Sequence, residues 1–191
     1  MEASVERALV ELARGGDEEA FASLIRMAGD RLMAIAFRIL RDVDRAEDAV
    51  QQAIVTAWRE LPALRDPDRF GGWLYRVLVN ACYVEARRSR RWDANVRVLT
   101  VESVGDPSDD LLSVEDRDEL ERAFRRLPPE QRAVFVLHHY TGMRLTDISE
   151  ALEVPVGTIK SRLHYAAIGL RAAIEADSRT ISSTPRGERL A

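Results

Sequence analysis

A single cysteine, Cys82, occurs in the 191 residues, so the chain can form no internal disulfide and no cysteine-rich zinc site, which fits a reducing compartment. No run approaches the roughly 20 apolar residues that span a bilayer, and the early Glu2, Glu6 and Glu11 interrupt any secretion signal. A cytoplasmic chain that stays out of membranes is expected. Positive charge is also in short supply. The formal net charge is -4 and the isoelectric point about 5.5, which argues against a nucleic-acid binder acting alone, because phosphate contacts come from Lys and Arg. Patterns of catalysis are missing as well: Cys82 has no base at motif spacing, His138-His139 lacks the HExxH pattern, and Gly71-Gly72 lacks the lysine of a phosphate loop. Neither an enzyme nor a metal or other cofactor is expected. His138 reads as a packed or half-buried histidine and His139 as a surface one.

What is present is apolar content of 46% beside 31% charged residues, the composition of a folded chain with one or two domains. The charge is unevenly spread. Arg87, Arg88, Arg90 and Arg91 form a basic cluster, and the stretch from Asp93 to Glu121 then sets ten acids against only Arg97 and Arg117, a local charge of -8. Such a block reads as a solvated linker. It divides the chain into a first domain over 1–92, an acidic linker over 93–116, a second domain over 117–175 and a flexible tail over 176–191. A short ordered piece around Val96, Val98, Leu99 and Val101 is compatible with the linker.

Apolar residues recur at helical spacing on both sides of the linker, which predicts an all-α fold of two helical domains. The spacing predicts a helix from about Val5 to Ala13 stopped by Gly15-Gly16, and a second one capped by Asp17 with Ala20, Phe21, Leu24 and Ile25 in one stripe. Asp44 reads as the cap of a third, ending before Pro62, with Ala46, Val50, Ala53 or Ile54, Ala57 and Leu61 inward. A fourth starts near Phe70 and ends in the arginines. Past the linker, Leu120 to Leu127 is one helix, Pro129 opens the next, and Gly142 ends it.

The sharpest local signal lies between Leu145 and Leu163. Leu145, Ile148 and Leu152 make the stripe of a short helix, a break follows over Glu153 to Gly157, and Ile159, Leu163, Ala166 and Leu170 line a second helix. This is helix-turn-helix spacing. The outward face of the second helix carries Thr158, Ser161, Arg162 and Tyr165 with Lys160 beside them, short donors and a guanidinium suited to the major groove. An αα-hairpin that serves only packing has the same spacing. A second constellation is the fourth helix, where Tyr75, Arg76, Asn80, Tyr83, Arg87 and Arg88 stand outside the apolar stripe and suit unstacked nucleotides, while Phe70 and Trp73 belong with the core.

Gly-Asp-Glu-Glu-Ala-Phe from Gly16, Ala-Glu-Asp-Ala-Val-Gln from Ala46, Trp-Leu-Tyr-Arg-Val from Trp73 with Asn80, Leu-Pro from Leu127, and Val-Pro-Val-Gly-Thr-Ile-Lys-Ser-Arg-Leu from Val154 occur in this order around the acidic linker. With them the chain resembles the extracytoplasmic-function (ECF) group of bacterial sigma factors over most of its length. The resemblance implies a first domain (sigma region two) that binds core RNA polymerase and opens the promoter at -10, and a second (region four) that reads -35. On the family pattern Asp48, Gln51, Gln52 and Arg59 dock on the polymerase. Leu64, Arg65, Asp66 and Arg69, with Asn80 and Tyr75, form the -10 site, which holds a base flipped from the single-stranded non-template DNA. Arg76, Arg87 and Arg88 meet its backbone. Thr158, Lys160, Ser161, Arg162 and Tyr165 face the double-stranded -35 groove. An anti-sigma factor is a further expected partner, and the free chain is expected to be a monomer.

Some positions depart from that pattern. Val84, with Glu85 beside it, stands where relatives commonly have Asp; Arg144 replaces a capping Ser, so that Thr146 is left as the cap; Glu153 replaces the Gly of the turn. After His164 the chain reads Tyr165-Ala166-Ala167 where the family has Arg-x-Arg, which removes two phosphate partners and about two units of salt slope. Independent -35 binding is therefore expected to be weak. The rival readings are a stand-alone helix-turn-helix regulator, for which no heptad seam or sensory domain is found, and a helical adaptor that binds only protein.

Overall fold

The computed structural model describes residues 2–93 and 122–182, with side chains for 5–88 and 122–172. Residues 94–121, which hold all of the 93–116 linker except Asp93, with Val96, Val98, Leu99 and Val101, and also Leu120, lie outside the described residues, as does the tail from Ser183. Among the described residues every regular element is helical: α1 (Glu2–Arg14), α2 (Glu18–Leu40), α3 (Val43–Glu60), two single 3-10 turns (Leu61–Ala63 and Pro67–Arg69), α4 (Phe70–Asp93), a short helical segment over 122–126, then α5 (Pro129–His139), α6 (Leu145–Leu152) and α7 (Val156–Ser182).

Local chemistry sets the boundaries. Asp17 caps α2 by accepting from the Ala20 amide at 2.9 Å, and Glu18 and Glu19 sit at the positive end of its dipole. The cap of α3 is Asp42, not Asp44: Asp42 accepts from the Arg45 amide at 3.0 Å, and Asp44 falls inside the first turn. The chain reaches Asp42 because Arg41, at φ 58, ends α2 in the left-handed region directly after Leu40. Gly142, at φ 74, closes the turn after α5 in a conformation that favours glycine. Arg144 stands at the cap of α6 without a side-chain hydrogen bond to the helix's backbone amides, and Thr146 does not take its place, because its hydroxyl turns to the Asp147 carboxylate at 3.2 Å. The break before α7 is shorter than the sequence suggested, since Gly157 is already helical. The stretch from Ala176 to Ser182 continues α7 rather than starting a tail.

The core begins between α2, α3 and α4. Leu24, Leu32, Ile35 and Ile39 of α2 meet Leu74, Val77 and Leu78 of α4, and α3 slots in through Ala46, Ala49, Ala53 and Ala57, each fully buried. Alanine at this spacing lets the neighbouring helices approach closely while Val50 and Ile54 stay half-buried at the flanks. The same buried cluster runs on into the second half of the chain. Ala133, Val134, Val136 and Leu137 of α5, with Ile148 of α6 and Ile159 of α7, join it, because α5 packs on α2 and α4 and α6 packs on α4. A satellite cluster of Ala123, Leu127, Ala166 and Leu170 seats the 122–127 segment on α7, with Phe124 edge-on to Phe135 at 5.1 Å.

Candidate nucleic-acid interface

Beyond α3 the chain turns twice before α4, and the turns form one wall of a cleft. Asp66 fixes the second turn by accepting from the Asp68 amide at 3.0 Å, and Asp68 is tied back to Arg7 of α1 at 2.7 Å. Leu64 is buried beneath the loop and holds its floor, while Arg65, Asp66 and Arg69 are exposed. The cleft has a volume of about 400 Å³ and is lined by Glu60, Leu64, Arg65, Asp66, Arg69, Trp73 and Arg76. Arg69, Trp73, Arg76, Asn80 and Arg87 follow one another at helical spacing, so they share one face that starts in this cleft and climbs α4. Asn80 and Arg87 are exposed along it, and Arg87 donates to the Tyr83 carbonyl at 3.1 Å. Arg88 points off this face and lies 3.8 Å from Glu85. Arg90 and Arg91 lie where side chains are not described.

Trp73 was assigned to the core, and it is 9% exposed, yet its remaining edge lines the cleft. Its place between Arg69 and Arg76 on one helical face is the signal that identifies it. Tyr75 does not join the set. It faces α1 and α2 beside Glu6, Leu24 and Arg31, because its position on α4 is turned away from Arg76 and Asn80, and burial raises its phenol pKa against the opposing pull of Arg31. Tyr83 also departs from the expectation of an available ring. The second half of the chain covers it, burial pushes its phenol up to about 12 against the opposing pull of Arg162, and its hydroxyl is buried with no hydrogen-bond partner among the described residues.

On α3 the face opposite the alanines presents Asp48, Gln51, Gln52, Val55 and Arg59, all exposed. Gln52 donates to Thr56 at 3.2 Å, and Val55, 48% exposed, is an apolar spot among polar neighbours. That mixture suits a protein partner better than a nucleic acid.

In the second half, α6 and α7 share a core through Ile148 and Ile159, with Leu145, Leu152, Val154 and Leu163 partly buried around them. The turn between them is closed by Glu153 at φ 55, the Val154 amide donating to the Ser149 carbonyl and the Ser149 hydroxyl donating to the Val154 carbonyl. On α7, Lys160, Ser161 and Tyr165 are exposed, Thr158 is half-exposed, and the Ser161 hydroxyl donates to the Thr158 carbonyl at 3.0 Å. Arg162, like Thr158, is half-buried. At the start of α6, Arg144 donates to Asp147 at 3.1 Å and holds its carboxyl below the usual range. His138 is half-buried, its Nδ1 2.9 Å from the Met143 carbonyl, and His139 is exposed.

Comparison with known proteins matches residues 24–92 to the family Sigma-70 region 2 and residues 117–166 to Sigma-70, region 4. The chain is 31% identical to the ECF RNA polymerase sigma factor SigW of Bacillus subtilis over 85% of this chain and 92% of that protein. It is 30% identical to the RNA polymerase sigma-H factor of Pseudomonas aeruginosa over 87% of this chain and 92% of that protein. Among solved structures, the sigma factor RpoE of Bartonella quintana, in complex with the anti-sigma factor NepR, superposes with a TM-score of 0.64 at 25% identity, covering 82% of this chain and 98% of that one.

Proposed function

The chain belongs to the ECF RNA polymerase sigma factors, which direct core polymerase to promoters, and from that premise we propose how its surfaces divide the work. The α3 face of Asp48, Gln51, Gln52 and Arg59 docks on the polymerase, with Val55 supplying apolar contact at its centre. The cleft over 61–76 takes a base drawn from the non-template strand at -10. Extrusion costs a few kcal/mol, which contact with the Trp73 edge and hydrogen bonds from Asn80 and the loop offset. Arg69, Arg76 and Arg87 follow the strand's phosphates along one face of α4, and Arg88 adds charge at the margin. The exposed donors of α7, Lys160, Ser161 and Tyr165, with half-buried Thr158 and Arg162, read the -35 groove.

The observation that carries this reading is the continuity of the cleft with the Arg69–Trp73–Arg76–Asn80–Arg87 face, which joins a base-sized recess to a track of positive charge. An acidic chain suits this role because the polymerase supplies most of the affinity for DNA, and the chemistry of RNA synthesis is the polymerase's own. The action is accordingly placed in the cytoplasm; no helix among the described residues is long and apolar enough to cross a membrane. An anti-sigma factor is included as a partner, by likeness to the complexed RpoE.

The test is 5′-end sequencing of transcripts made in vitro from fragmented genomic DNA by core polymerase, with and without the protein. New start sites that share paired -35 and -10 elements are the expected result. No new starts, with DNA binding in the absence of core, would overturn the reading in favour of a stand-alone regulator.

A further inference from the structure

The loop between α3 and α4 shapes the base recess, and its own turns hold it loosely. Leu61, Leu64 and Phe70 are buried and pin it, while Arg65, Asp66, Asp68 and Arg69 stand exposed between the last two. Its backbone closes two single 3-10 turns, the Leu64 amide donating to the Leu61 carbonyl at 3.0 Å and the Arg69 amide to the Asp66 carbonyl at 3.1 Å. Hydrogen bonds of this type have poorer geometry than those of an α-helix.

A tie from α1 adds to them. Arg7 Nη1 donates to Asp68 Oδ2 at 2.7 Å, and its Nε lies 3.4 Å from Glu11 Oε1, one turn further along α1. The guanidinium is thus engaged on two sides, and its planar fork gives the contact direction as well as charge. Asp68 is outside the lining of the cleft of about 400 Å³, yet it stands between Asp66 and Arg69, which belong to that lining, and its amide donates to the Asp66 carboxylate at 3.0 Å. The helix that sends out Arg7 is itself anchored. Val10 and Ala13 are buried in the core, Glu6 flanks Tyr75 and Arg31 beside the start of α4, and α1 packs on α2 and touches both 3-10 turns. It precedes residues 24–92, the stretch matched to Sigma-70 region 2, so that match gives α1 no task.

We propose that α1 braces the base-capturing loop, with Arg7 a positioning residue that fixes Asp68 and, through it, the places of Asp66 and Arg69. The brace rests on the reading of the 61–76 cleft as the -10 base site. The pair is exposed, Arg7 by 51% and Asp68 by 61%, so it adds little to the stability of the fold. Its effect falls on the loop. A recess whose polar groups are held in place pays less to order them on binding and separates bases by the geometry of their hydrogen bonds. A loop cut from α1 still admits a base but distinguishes less between one base and another, so the loss appears in -10 preference rather than in the closed complex.

The experiment uses the holoenzyme of core polymerase and the full chain on a promoter found by the start-site sequencing, each -10 position being varied over the four bases. Competition transcription reads the preference for the favoured base, gel-shift titration at low temperature reads the closed complex, and thermal unfolding of the free chain reads stability. The variants are Arg7→Ala, Asp68→Ala, the two together, and Arg7→Lys; Arg26→Ala, which breaks an exposed pair with Glu19 on α2, is the control. Expected is a fall in preference at one -10 position of about twofold to fivefold in each alanine variant, with no further fall in the double variant. Arg7→Lys keeps the charge and recovers part of the preference. The control, the closed complex and the thermal midpoint stay at wild-type values. Unchanged preference in Arg7→Ala overturns the brace, as does a loss confined to Asp68→Ala, which would make Asp68 a direct contact. Losses that multiply in the double variant show the two residues acting separately and overturn it too, and so does a parallel fall in closed-complex affinity and thermal midpoint. A wild type with no base preference at any -10 position overturns the capture site itself and the brace with it, a failure told apart from the others because it is seen before any substitution.

Discussion

Replacing Asn80 by Ala separates base capture from every other task of the protein. The side chain is exposed on α4, so its removal is expected to change folding stability by no more than about 0.5 kcal/mol. Asn80 lies one turn above Arg76, outside the lining of the cleft, and on the proposed reading its amide offers a donor and an acceptor to one flipped base. Two such hydrogen bonds at about 0.5–1.5 kcal/mol each give a loss of about 1–3 kcal/mol in the opened state, a drop in the opening equilibrium of roughly fivefold to hundredfold. The closed complex forms before any base leaves the stack and should keep its affinity. Permanganate reactivity of promoter thymines, measured beside gel-shift titration of the closed complex at low temperature, reads the two steps apart. Normal melting by the Asn80→Ala holoenzyme would remove Asn80 from the base site. Equal losses in both steps would show that it acts through the backbone track instead.

Three further outcomes follow from the geometry. Asp48→Lys with Gln51→Lys alters only exposed positions of α3 and should lower affinity for core polymerase by about tenfold or more in co-elution, with an unchanged thermal midpoint; intact co-elution would move the docking face elsewhere. Tyr83→Phe removes a buried hydroxyl that has no partner, and should leave the urea midpoint unchanged or raise stability by up to about 1 kcal/mol; a fall would show that the hydroxyl is satisfied by water. Burial pushes the Cys82 thiol from 9.0 to about 12, so the folded chain binds more protons than the unfolded one between those values. Its contribution to stability is therefore complete below pH 9 and is lost as pH rises toward 12. At pH 8 the native thiol should resist an aromatic disulfide reagent until urea is added, and equal rates in both states would contradict its burial.

Much of this arrangement is legible from spacing alone. The stripes of α2 and α4, the Asp17 cap, the Gly142 stop and the paired helices around Ile148 and Ile159 follow from local rules, and the structure places them accordingly. Caps are less secure. Asp42 and Asp44 are both able to cap, and the choice depends on Arg41 entering the left-handed region, which residue type does not announce. Tyr83 was misread for a different reason. Its exposure is decided by α5, which packs on α4 from far along the chain, and a periodic pattern within one helix carries no record of a neighbour that arrives from elsewhere. Tyr75 shows the reverse limit, since a polar-tipped ring outside the apolar stripe still packs its body against α1 and α2. Trp73 packs in the core as its spacing indicates, and its place in the lining of the cleft depends on the loop before α4.

The alanine stripe of α3 sets a tolerance on everything that helix presents outward. Ala46, Ala49, Ala53 and Ala57 have no rotamers to readjust, so the distance of α3 from its neighbours is fixed by backbone contact rather than by interlocking side chains. Enlarging any one of them by a methylene or two would lever the whole outward row, from Asp48 to Arg59, away from its seat. The inward and outward faces are thus mechanically a single part.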